Sequence, residues 1–183
     1  MEDHGRTRVA IASCVALLLA SCGGGGGGSP TTPSTPPPTP AVAITATGEG
    51  NLVIHPSLDS RFSFALETPI RIAETSGGTA DWNFARIQMF RNGQETERFE
   101  LGADVIDRAG YKRISASSNQ LYSVAFRFNS DDFDDLTMTL GFSDLKDGRQ
   151  FTVNVVDNWA DVALSLTPLS VPGAGTVRLG GAQ

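Results

Sequence analysis

From residue 41 onward, apolar side chains recur at every second position, and this leaves few folds open. Tyr122, Val124, Phe126 and Phe128 alternate with Ser123, Ala125, Arg127 and Asn129. Leu136, Met138, Leu140 and Phe142 alternate with Thr137, Thr139, Gly141 and Ser143. Phe62, Phe64 and Leu66, then Phe151, Val153 and Val155, then Val162, Leu164 and Leu166 repeat the pattern. Successive side chains of a strand point to opposite faces, so each run predicts a strand with one face on a core and one in water. That division is the habit of antiparallel sheets. No amphipathic helix competes, although residues 104–109 suit one short helical turn.

Turn chemistry divides the runs. Asn92-Gly93 suits a two-residue hairpin turn, because both central residues of a type I′ turn need positive φ. It predicts a pair of strands over residues 84–91 and 94–101, whose Arg86, Arg91, Glu95, Glu97 and Arg98 mark an exposed sheet edge. Asp147-Gly148 predicts a second hairpin joining 136–142 to 150–156. Pro69 interrupts the run 62–72 and predicts two strands there, or one with an edge bulge. Further strands are expected at 42–47, 52–55 and 176–179, giving eight to ten. Short strands with turn residues between them predict a β-sandwich. The arrangement resembles an immunoglobulin-like or fibronectin-like module, with Trp82 in the place of the core tryptophan of strand C. The chain has no cysteine after position 22 for an inter-sheet disulfide. A transthyretin-like sandwich fits the same pattern.

The amino-terminal part reads differently. Arg6 and Arg8 precede an apolar run over residues 9–20. Twelve helical residues span about 18 Å against about 30 Å of bilayer hydrocarbon, the length of a signal peptide rather than of a membrane helix. The run ends in Leu19-Ala20-Ser21-Cys22. This resembles the lipobox of bacterial lipoproteins. The resemblance implies attachment of diacylglycerol to Cys22, cleavage before it, and acylation of the new amino terminus. It also implies a cell-envelope location, and Gly23 after the cysteine favours the outer membrane. An ordinary secretory signal is the alternative. The predicted organisation is a signal peptide over 1–21, a lipidated cysteine and linker over 22–40, and a sandwich over 41–183. Six glycines at 23–28 make a swivel, and the proline-rich 29–40 favours an extended spacer of about 37 Å.

Charge and motif content narrow the function. The net charge is −6, with only two lysines, Lys112 and Lys146. Phosphate binding needs clustered basic residues, so a nucleic-acid partner is not expected. His55 is the one histidine after the signal region, and no serine spacing marks a triad around it, so it reads as a surface residue at a strand end. No metalloprotease, nucleophile-elbow or phosphate-loop motif is present, and no enzyme activity or cofactor is expected. Two candidate sites remain. Asp131, Asp132, Asp134 and Asp135 surround Phe133, and four carboxylates so close could serve calcium, although the spacing departs from an EF-hand and a solvated inter-strand loop with Phe133 folded inward is the favoured reading. Trp159 and Tyr111 fall in loop-like contexts and are candidates for ligand stacking, whereas Trp82 and Tyr122 lie in strand patterns and read as core. The expected function is therefore non-catalytic: a membrane-anchored sandwich that binds a protein or glycan or makes structural contacts. An accessory lipoprotein of an envelope assembly or secretion machine, and a carbohydrate-binding module, are the alternatives.

Overall fold

The computed structural model describes residues 41–129, 133–173 and 175–180, all within the compact unit Pro38–Gln183. The lipobox, Cys22 and the linker lie outside the described residues, as do Asp131 and Asp132. The described chain forms strands β1 (Ile44–Gly48), β2 (Leu52–Pro56), β3 (Phe64–Glu74), β4 (Ala80–Arg91) and β5 (Gln94–Gly102), then helix α1 (Ala103–Arg108). Strands β6 (Arg113–Ile114), β7 (Asn119–Phe128), β8 (Asp135–Asp144), β9 (Gln150–Asn154), β10 (Val162–Leu164) and β11 (Gly175–Leu179) follow.

Two sheets result. The first runs β10-β2-β3-β7-β11, and the second β5-β4-β8-β9. Strand β1 shares an edge of β3 with β2, and β6 shares an edge of β4 with β5. All pairs are antiparallel except β10 with β2. The alternating apolar sets of β7 and β8 face each other across the interior, where they join Leu66, Ile70 and Ile72 of β3 and Trp82, Ile87 and Met89 of β4 in one core. Burial of this area is the main favourable term of folding, since the chain after residue 22 has no cysteine to cross-link. Both predicted hairpins form, and Asn92 and Gly93 carry the expected positive φ of 50° and 74°.

Two expectations are corrected. Pro69 does not break its run: β3 is continuous and central, with β7 along one whole edge. The other edge changes partner at that point, from β2 at Glu67 to β1 at Ile70. The missing N–H of Pro69 therefore faces the junction between two partners, and no ladder bond is lost. The second correction concerns residues 162–166. Val162 and Leu164 point to the same side as the buried Leu52 and Ile54 of β2, yet Leu164 is 79% exposed and Leu166 96%. Strand β10 hangs at the margin of its sheet, where the opposite sheet does not cover it.

Buried acids fix the start of the domain. Glu74, 2% exposed, accepts N–H bonds from Ala43 at 3.3 Å and from Ser76, Gly77 and Ser117 at 2.9 Å each. Asp144, also 2% exposed, accepts the N–H of Val42 at 3.2 Å and that of Lys146 at 2.9 Å. Ser117 sits at φ 55°, a strained position that its bond to Glu74 helps to hold.

Candidate binding groove on the outer face of the first sheet

The side chains of β2, β3, β7 and β11 that point away from the core form a second row. Val53 and His55, then Ala65, Glu67 and Pro69, then Ser123, Ala125 and Arg127, then Arg178 lie on this face by register. The chain after β10 runs beside β2 and crosses this face as a strap. Its Leu169 N–H bonds the carbonyl of Pro56 at 3.0 Å, and Leu169 and Val171 pack on Ala65 and Ala125. Two alanines let the strap lie close to the sheet. On one side of it opens a groove of about 780 Å³, and on the other a hollow of about 490 Å³.

A polar cluster crosses the floor of the groove. Glu67 is its centre. Oε1 accepts a bond from Arg178 at 2.9 Å and another from the hydroxyl of Ser123, while Oε2 faces Nε2 of His55 at 3.3 Å. Nδ1 of His55 donates to the carbonyl oxygen of Thr167 in the strap at 3.0 Å. At the rim, Arg71 binds both oxygens of Glu49, which lowers the pKa of that carboxyl chiefly through the side-chain hydrogen bond. The walls are aliphatic: Val53, Leu121, Leu169 and Leu179. Serine, carboxylate and histidine meet here, but in the order serine–glutamate–histidine. A hydrolytic triad needs the histidine between the other two, so this cluster can orient a ligand but does not activate Ser123. In the smaller hollow, Arg127 is held between Asp59 and the ring of Phe62, 4.6 Å from its centroid.

The residues singled out in the sequence lie elsewhere. Trp159 is half-buried, donates its indole N–H to the carbonyl of Pro69 at 2.8 Å, and lies against Gly48. Tyr111 is half-buried and meets Tyr122 edge-on at 5.6 Å. Burial is the larger of two causes that raise the pKa of Tyr122, and the nearby Tyr111 is the other. The two candidate stacking rings thus have separate partners. Asp134 caps the hairpin turn at Asn92, whose N–H it accepts at 2.9 Å, and Asp135 starts β8 in an exposed position. Phe133 turns inward against Phe128.

The packing at Gly48 gives a direct test of the seat of Trp159. A Cβ at Gly48 would lie 2.4 Å from the indole ring. Gly48→Ala is expected to cost about 1–3 kcal/mol through overpacking and to shift tryptophan emission to the red as the indole is pushed outward. Unchanged emission and stability would show that the ring has room to spare.

Glu67, Ser123 and Arg178 escaped the sequence reading because they come from three strands at wide separations. The signal that could have found them is the outward half of the same alternation, in which Ser123, Ala125 and Arg127 form the polar and small register of β7. Comparison with known proteins adds no relative: no protein-family model and no curated protein matches the chain.

Proposed function

We propose that the chain is a lipid-anchored protein of a bacterial envelope whose sandwich binds a protein or peptide partner in the groove of the first sheet, without catalysis. The observation that carries the binding reading is the convergence of His55, Glu67, Ser123 and Arg178, one from each of four strands, on the floor of a 780 Å³ groove. A concave site with aliphatic walls and a few convergent polar groups is the usual form of a binding site. The lining among the described residues has no tryptophan, tyrosine or phenylalanine ring on which a sugar could stack, which favours a peptide over a glycan. Anchoring rests on Leu19-Ala20-Ser21-Cys22, and Gly23 favours the outer membrane.

Strand order supports an immunoglobulin-like reading of the sandwich. The second sheet runs β5-β4-β8-β9, the order C′-C-F-G of that fold, and β2-β3-β7-β11 follows A-B-E-D with the last strand in the D position. Trp82 lies on β4, the C strand, and β1 runs parallel to the chain at Val156 beyond β9.

The anchor and the groove are tested separately. Cys22→Ser is expected to abolish incorporation of labelled palmitate and to move the protein from the membrane to the soluble fraction. Retention of label by the variant would remove the lipid anchor. For the groove, photo-cross-linking in isolated envelopes should give a product with wild type that Arg178→Glu loses. An identical product from both would place the partner elsewhere.

A further inference from the structure

We propose that Arg127 and Arg61 form a binding site for a tetrahedral oxyanion, a phosphate or a phosphate ester, in the hollow on the far side of the strap. The site is separate from the groove and stands whether or not the groove takes a peptide. It starts from a shortage of acceptors. Oδ1 of Asp59 accepts the backbone N–H of Arg61 at 3.1 Å and its Nε–H at 3.0 Å. Oδ2 accepts from Nη2 of Arg61 at 2.7 Å and from Nη1 of Arg127. A carboxylate offers about four lone-pair sites, so Asp59 is full. Arg127 is 5% exposed, yet its Nε–H is buried without a hydrogen-bond partner. The ring of Phe62 under the guanidinium attracts its charge but supplies no lone pair. A buried donor left over in this way calls for a further acceptor.

The charge is unbalanced in the same sense. Two guanidiniums meet at one oxygen of Asp59, two positive charges against one negative. Asp59 is the only acid among the described residues that line the hollow, although the chain as a whole carries −6. A second anion relieves the repulsion between the two arginines. Its shape follows from the donors. A carboxylate is planar and serves one guanidinium well, as Asp59 already does for Arg61. A tetrahedral anion presents oxygens in several directions and can bridge two guanidiniums, which are well suited to phosphate. Ser60, from the turn between β2 and β3, and Ser170, from the strap, line the same hollow and bring hydroxyl donors for the remaining oxygens. The five non-hydrogen atoms of bare phosphate fill only part of its 490 Å³, so an ester is accommodated.

The test is calorimetric titration of the full chain carrying Cys22→Ser with sodium phosphate at low salt, against sodium chloride at matched ionic strength. One saturable site for phosphate is expected, weakened by about tenfold or more in Arg61→Ala and in Arg127→Lys, which keeps the charge but loses the planar fork. No saturable binding up to tens of millimolar phosphate would overturn the proposal. So would an unchanged affinity in Arg61→Ala, whose exposed side chain can be removed without disturbing the core. Should Arg127→Lys fail to fold by circular dichroism, Arg61→Ala alone decides. Acetate binding as tightly as phosphate would overturn the tetrahedral assignment. Glycerol 3-phosphate separates the two sources, and both results support the site: tighter binding than phosphate assigns an ester, weaker binding the free ion.

Discussion

Trp82→Ala is expected to destabilise the sandwich by about 4–5 kcal/mol, enough to unfold much of it at body temperature if the domain has ordinary stability. The indole is fully buried on β4, meets Tyr122 edge-on at 5.5 Å and stacks on Phe142 at 6.3 Å. It links the two sheets, because Tyr122 belongs to β7 and Phe142 to β8. Truncation leaves a cavity between closely packed strands that can collapse only in part. It also strands the carbonyl of Phe84, which accepts the indole N–H at 2.8 Å. Trp82→Phe keeps most of the volume and should cost about 1–3 kcal/mol, largely the lost hydrogen bond and residual space. Denaturant titration measures both. A cost below that of an ordinary surface change for Trp82→Ala would mean that the tryptophan is not the centre of the core.

Removing the carboxylate of Glu74 is the second large effect. Burial tends to raise the pKa of this group, but bonds from the Ser76 hydroxyl and from the N–H groups of Ser117, Ser76 and Ala43 outweigh it and bring the value to about 2. The unfolded chain titrates near 4.5. The folded state therefore binds protons more weakly, and the stabilisation is complete above the unfolded value and lost as pH falls from about 4.5 towards 2. Its size is about 3 kcal/mol. Glu74→Ala should cost about 3 kcal/mol at neutral pH, because four N–H groups lose a charged acceptor in part-buried hydrogen bonds. Glu74→Gln should cost somewhat less and should lose this share of the acid sensitivity. Stability measured from pH 7 to pH 2 checks the point. A wild-type curve with the same acid slope as Glu74→Gln would show that the carboxylate does not hold this corner.

The sequence predicted the layers better than the site. Tyr122 to Phe128 and Leu136 to Phe142 read correctly because both strands are central, so every inward position finds a neighbour in the facing sheet. Val162 and Leu164 carry the same pattern, but their strand is marginal, and alternation records direction without recording what lies opposite. Pro69 misled for a similar reason. Proline warns of a missing donor, and only the topology shows that the donor would have faced a change of partner. The Asn92-Gly93 turn needed no such context, since its requirement for positive φ is local.

The groove cluster was not legible. His55 and Glu67 are brought together by the β2–β3 pairing, but Arg178 reaches Glu67 only because β11 lies beside β7 at the far end of the chain. Trp159 stands in a loop, as its polar neighbours Asp157, Asn158 and Asp161 suggest, but the sequence does not show that its ring is half-buried. Its ring settles on Gly48, a contact invisible without the β1 backbone in place.

The arrangement of the first sheet also sets when folding can finish. Strand β1 bonds the chain at Val156, the N–H of Leu52 in β2 bonds Asp161, and the outer edge of β7 waits for β11. The earliest strands to leave the ribosome are thus neighbours of the latest. Such long-range pairing folds slowly, and a chain that lacks its last strands has no complete first sheet to settle into. Under the proposed route, in which the chain crosses a membrane unfolded before it is anchored, that delay would be an advantage: the sandwich would close only after its last strand had arrived on the far side.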